Sequence, residues 1–155
     1  MIDKDLNLVS AALRSNARVH SGGEVFWPMS CIEQVLRELA DKNRAILGFD
    51  IATLDSTADG WAPCIVAEST YDIGSAAGAR PWGESVALSL QLALRDLEQT
   101  RGQARSSTDD DAWYSVVAID EQWWGELLRT HPRNKNGLFE VGRIQPRTRS
   151  NADED

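Results

Sequence analysis

Apolar residues recur along this chain with two periods, and the switches between them mark the elements. In residues 3–15, Leu6, Val9, Ala12 and Leu13 keep helical spacing, with Asp3 and Asp5 near the positive end, which predicts a short amphipathic helix. Gly22, Gly23 and Pro28 make residues 20–29 a turn-rich connector. Over residues 30–43, Ile32, Val35, Leu36 and Leu39 form one apolar stripe. Ser30 and Glu33 make a capping-box pattern at its start, each side chain placed to satisfy the other's free backbone N–H. Residues 45–54 and 61–68 read as strands, and the turn residues of 55–60 join them as a hairpin. Pro63 has no N–H to donate, so it belongs at a strand's beginning or on an edge.

Residues 69–83, with Gly74, Gly78, Pro81 and Gly83, read as a long loop. In residues 84–99 the two periods compete. Val86, Leu88, Leu90, Leu92 and Leu94 alternate as in a strand, while Leu90, Leu94 and Leu97 keep helical spacing. The length and the Leu, Ala, Gln and Arg content decide for a helix, apolar nearly all round and therefore expected to be the central, most buried one. Residues 101–111 are polar and aperiodic, a loop. Residues 113–119 are a strand, after which Asp120 caps a short helix to 129, with Glu121 in its first turn and Arg129 in its last. His131-Pro132 ends that helix, and residues 138–144 read as one more strand. The expected fold is α+β, a mostly antiparallel sheet of about four strands with three to four helices packed on one side. One globular domain over residues 1–145 and a disordered acidic tail over 146–155 complete the expectation.

Charge narrows the function. The net charge is −8 in 155 residues. Residues 51–128 carry 13 acids against 4 bases, a net of −9, whereas residues 129–149 carry 6 bases against Glu140. An acidic body repels phosphate backbones, so direct nucleic-acid binding is disfavoured, and the same field draws in basic proteins. The amino-terminal sequence has no signal-peptide pattern, and no apolar run approaches the ~20 residues that span a bilayer, so a cytoplasmic protein making no membrane contact is expected. Cys31 and Cys64 fit reduced thiols in that setting.

Catalytic patterns are weak. His20 lies in a Gly-rich connector and His131 before a proline, neither beside a Ser or Cys elbow. CxxC, HExxH and HxH are absent, and Asp109-Asp110-Asp111 lacks the spacing of a calcium loop. Gly74 to Gly78 has no Lys-Ser/Thr pair to make a phosphate loop. The expectation is a non-enzyme without metal or cofactor. Against it stands a small enzyme with a carboxylate site drawn from Asp50, Glu68 and Glu84, or an adaptor or chaperone for a secreted effector, which would show a large apolar groove.

What stands out is six tryptophans. Trp113 opens a strand and reads as core, Trp82 as packed under its loop, and Trp61 as either core or surface. Trp123 and Trp124 are neighbours on a helix, about 100° apart, so at least one faces the rim or solvent. Flanked by Asp120, Glu121 and Glu126, that indole suits a surface rich in Lys and Arg. The candidate partner-binding residues are therefore Asp109, Asp110, Asp111, Asp120, Glu121, Trp123, Trp124 and Glu126, with Asp55, Asp59 and Trp61 from the hairpin. Any single charge run is more simply a solvated surface; the asymmetry of 51–128 as a whole is what favours docking.

The small acidic α+β body, the Trp-marked segments 60–64 (Gly-Trp-Ala-Pro-Cys), 82–85 (Trp-Gly-Glu-Ser) and Trp123-Trp124, and the weak catalytic patterns together resemble immunity proteins of bacterial toxin–immunity systems, especially those of contact-dependent growth inhibition. The resemblance is one of type over roughly residues 30–145, and carries no residue roles with it. It implies a cytosolic protein that binds one cognate toxin domain, commonly a basic nuclease, and blocks its active site, the acidic inhibitor imitating the phosphate backbone that the nuclease binds. The basic stretch 129–149 departs from a purely acidic mimic.

Overall fold

The computed structural model describes residues 3–71, 73, 80–104 and 112–130. Their fold is α+β, with helices α1 (Ala11–Asn16), α2 (Met29–Asp41), α3 (Trp82–Ala104) and α4 (Glu121–Thr130). The strands are β1 (Arg18–Val19), β2 (Val25–Pro28), β3 (Ala45–Thr57), β4 (Gly60–Thr70) and β5 (Trp113–Ile119). They form one antiparallel sheet in the order β1-β2-β5-β3-β4. The predicted strand at 138–144 and the tail at 146–155 lie outside the described residues.

Strand alternation divides the sheet into two faces. Val25 and Trp27 of β2, Phe49 and Ile51 of β3, and Tyr114 and Val116 of β5 share one core with Ile32, Val35, Leu36 and Leu39 of α2 and Ala93 and Leu97 of α3. The Trp27 ring is fully enclosed, and its indole N–H donates to the Leu13 carbonyl at 3.1 Å, so the bulkiest core residue is also hydrogen-bonded. At the start of β3 a second, smaller cluster gathers Ala45, Ile73, Val86 and Trp124.

Several expectations are corrected. Residues 3–15 are not one helix: a 3-10 segment, Asp3–Leu8, precedes α1, and the Ser10 N–H at the break donates to Glu38 at 2.6 Å. The connector at 20–29 contains β2, because Val25 and Trp27 are drawn to the core despite the glycines around them. The capping box does not form. Pro28 is the N-cap of α2, and Glu33 turns instead to Arg37 and Arg101. α3 is not the most buried helix. Ser85, Val86, Ser89, Ala93 and Leu97 are buried while Glu84, Gln91, Arg95 and Glu98 are exposed, so a single stripe faces inward. Trp113 is half-buried, with the Arg18 guanidinium 4.8 Å above its ring.

Two irregularities shape β3. Between Ile46 and Gly48 its register with β5 shifts by one residue. The Ile46 N–H is received by the Ser89 hydroxyl at 2.8 Å, which itself donates to the Val86 carbonyl. α3 is thus fastened to the sheet where the ladder is interrupted. Gly48 sits beside the backbone of β4, where a Cβ would run into the Ser69 carbonyl. Between Ile51 and Ala52 the register with β4 also shifts, leaving Val66 as the extra residue.

The far end of the β3–β4 hairpin curls over the face that carries no helix. Trp61 of β4 and Phe26 of β2 are three strand spacings apart in the sheet order. A flat sheet would separate them by roughly 14 Å. Their ring centroids are 6.1 Å apart, edge to face, and His20 lies 5.3 Å from Trp61. Only a hairpin folded back across the sheet brings these rings together. It is this closure that buries Phe26, which alternates with the core residues Val25 and Trp27.

Ser89→Ala is expected to destabilise the protein by about 1–3 kcal/mol, because it orphans the buried Ile46 N–H. Urea unfolding monitored by circular dichroism checks this, and an unchanged midpoint would show that the bond contributes nothing.

Candidate functional site

α4 is positioned by its first residues. Asp120 follows β5 directly, and its carboxylate accepts the Trp123 backbone N–H at 2.7 Å, capping the helix as the sequence predicts. The other carboxylate oxygen receives Arg44 at 2.5 Å, which ties the start of α4 to the start of β3. Asp120 is therefore committed to holding the helix. Trp124 turns inward, onto Ala45, Ile73 and Val86. One residue back, about 100° round the helix, Trp123 turns outward and is 61% exposed. Glu121 and Glu126 are exposed on the same helix, Glu126 pairing with Arg129 at 2.6 Å, and Leu128 is exposed near its end.

The other candidates do not join this surface. Asp109, Asp110 and Asp111 lie outside the described residues. Asp55 and Asp59 are exposed at the hairpin's far end, Asp55 receiving the Thr53 hydroxyl at 3.3 Å. That end lies past the Ala52↔Trp113 pairing, whereas α4 follows the opposite end of β5. Trp61 is half-buried and packs on Phe26 and His20, so its ring serves the curled hairpin.

A different grouping lies on the face without helices. Asp50 pairs across the ladder with Glu68 on one side and Ser115 on the other. Its pKa is raised above the ordinary carboxylate value of 3.8, first by burial and then by the charges of Glu68 and Glu24, against the opposing pull of the amino-terminal cation. Asp50 and Glu68 are two of the three carboxylates that the sequence offers as a possible site, without placing them together. The hairpin register, set by the short turn between Thr57 and Gly60 and shifted by the extra Val66, is what makes them neighbours. Glu24 precedes β2, in the segment whose glycines carry a loop signature, so its sequence context gives no sign of this grouping. Glu84 lies in the first turn of α3, away from the charges that act on Asp50. Among the described residues, no three His, Cys, Asp or Glu side chains are arranged to hold a metal ion, and no helix is long and apolar enough to cross a membrane. Cys31 and Cys64 are free thiols.

Compared with known proteins, the chain matches no family model, no curated protein sequence and no solved structure.

Two outcomes are expected. Asp120→Ala removes both the cap and the Arg44 pair and costs about 1–2 kcal/mol, while Asp120→Asn, which keeps a capping oxygen, costs less than half as much. Equal losses in chemical denaturation would assign the whole effect to the ion pair. For Asp50, a raised folded-state value means the folded protein holds the proton more tightly than the unfolded chain. Its contribution to stability is full at low pH and falls as pH rises through the folded value. Asp50→Asn is therefore expected to stabilise the protein at pH 7 and to do so less at pH 4. Unfolding midpoints at the two pH values test the sign.

Proposed function

We propose that this chain is a binding protein that neutralises a basic partner protein, acting as the immunity member of a toxin–immunity pair. The observation that carries the reading is Trp123, a large indole held 61% in solvent on a helix whose neighbouring residue Trp124 is buried. Leaving so much apolar surface in water is unfavourable in the free protein, and removing it from water on docking is correspondingly favourable. Tryptophan is the residue most enriched where interface energy concentrates. Glu121 and Glu126 beside it supply negative charge, and the net charge of −8 supplies a long-range field of the same sign. A cation-bearing surface is the natural complement. A nuclease, whose own surface is built to hold phosphates, is the proposed class of toxin.

In this mechanism the field speeds encounter, Trp123 enters an apolar recess on the toxin, and the flanking carboxylates meet lysine or arginine at the rim. The buried Trp124 and the capped first turn keep the indole from collapsing onto its own helix. The experiment uses the toxic domain of a secreted protein encoded beside this chain. Trp123→Ala should weaken its binding by about 2 kcal/mol, roughly 30-fold in Kd, with the circular dichroism spectrum unchanged. The association rate of the unaltered pair should fall steeply between low and physiological salt. Full-strength binding by Trp123→Ala, or a rate indifferent to salt, would overturn the reading.

A further inference from the structure

We infer that the open edge of β4 is the contact through which this chain pairs with a second copy of itself, joining two sheets into one across a twofold axis. β4 is last in the sheet order, and among the described residues no strand pairs with its outer side. The direction of its backbone groups follows from one bond. The Tyr71 N–H donates to the Leu47 carbonyl of β3 at 2.7 Å, so by alternation the N–H groups of Thr70 and Glu68 point away from β3, to the open edge. Pro63 pairs with Leu54, which lies on the same face of β3 as Asp50, the partner of Glu68. Pro63 therefore shares the orientation of Glu68, and its missing N–H falls on the outer side, where β3 does not need it.

Three features mark this edge as a contact. Cys64 to Glu68 are exposed in unbroken succession, so neither face of the strand is covered there. Ile65 and Val66 in this stretch are 41% and 61% exposed. Residues 60–67 carry no charge, whereas exposed edges are ordinarily kept very short or guarded by charged side chains. The opposite edge shows that guard: β1 has two residues, and its Arg18 is exposed.

The occupant that fits is a copy of the same strand. Antiparallel strands are related by a twofold axis, so one patch serves both sides. With the axis between Ile65 and Val66, Ile65 meets Val66 of the second copy, Pro63 meets Glu68, and Trp61 meets Thr70. The extra residue at Val66 sets these outward-facing positions at equal distances from the axis; in an uninterrupted strand they would fall out of phase. Apolar side chains meet at the centre, and Glu68, the only charge in β4, meets an uncharged residue. A strand of a basic protein would find no charge to match along residues 60–67.

Sedimentation equilibrium of the full chain between about 1 and 300 μM tests this, because an edge contact is small and its dimer correspondingly weak. A monomer–dimer equilibrium is expected, with the amides of Glu68 and Thr70 better protected from exchange at the higher concentrations. Ile65→Lys, and separately Val66→Lys, should weaken the dimer at least about tenfold, whereas Val117→Lys, on the interior strand β5, should leave it within about twofold. Val117 is 44% exposed, so all three lysines enter at open positions, and circular dichroism checks the fold. Each copy carries a net charge of −8, so added salt should tighten the dimer, opposite in sign to its effect on association with a basic toxin. A chain that stays monomeric throughout overturns the inference, whether its β4 amides are open or already covered. So does equal weakening by Ile65→Lys and Val117→Lys, which would mark a contact through the sheet face, or a dimer that salt dissolves.

Discussion

A single layer of helices can cover only one face of a sheet, and this constraint governs the molecule. α2 and α3 occupy that face and build the main core. The opposite face would stand open to water with Phe26 and Ala52 upon it, and both are fully enclosed. The sheet supplies the cover itself. β3 and β4 run past the end of β5 and fold back, bringing Trp61 to Phe26. A register shift gives the hairpin local twist, and an extra residue in one strand is the usual device for bending a ladder. Near its base the hairpin is held by Tyr71, whose hydroxyl donates to Asp96 of α3 at 2.9 Å and whose ring meets Phe49 edge to face. The phenol's pKa is pushed well above its ordinary value of 10.0 by burial and by that carboxylate, so it remains a donor across the working range of pH.

Much of this architecture was legible in the sequence where the signal is local and long. The stripe of α2, the β3–β4 hairpin, the strand at β5 and the Asp120 cap were all read from spacing and side-chain chemistry, because there the burial pattern and the local preference agree. The short elements were not. β1 has two residues and β2 four, and Gly22, Gly23 and Pro28 around them carry the signature of a loop. Their strand character comes from partners distant in sequence, Tyr114 and Trp113, which no window of neighbours reveals. The capping box failed for a related reason: Pro28 already starts the helix, and Glu33 finds two arginines.

The candidate site was partly legible. The helical angle between adjacent residues separates Trp123 from Trp124 without any structure, and the capped helix fixes which of them turns outward. The grouping of Asp50, Glu68 and Glu24 was not readable, since it depends on an extra residue at Val66 and on a strand hidden among glycines. Pairing Asp50 with Glu68 places like charges opposite one another, an arrangement that weakens a ladder.

The two clusters of apolar side chains are unequal, and α4 belongs to the lesser. Its inward residue Trp124 meets Ala45, Ile73 and Val86 apart from the large core, Leu127 packs against the same cluster, and the Asp120–Arg44 pair ties its start to β3. A helix held through the lesser cluster is expected to open ahead of the rest of the domain, with amide protons that exchange faster than those of α2. The grip of any complex built on Trp123 then has a second timescale written into it, the lifetime of one helix rather than that of the whole protein.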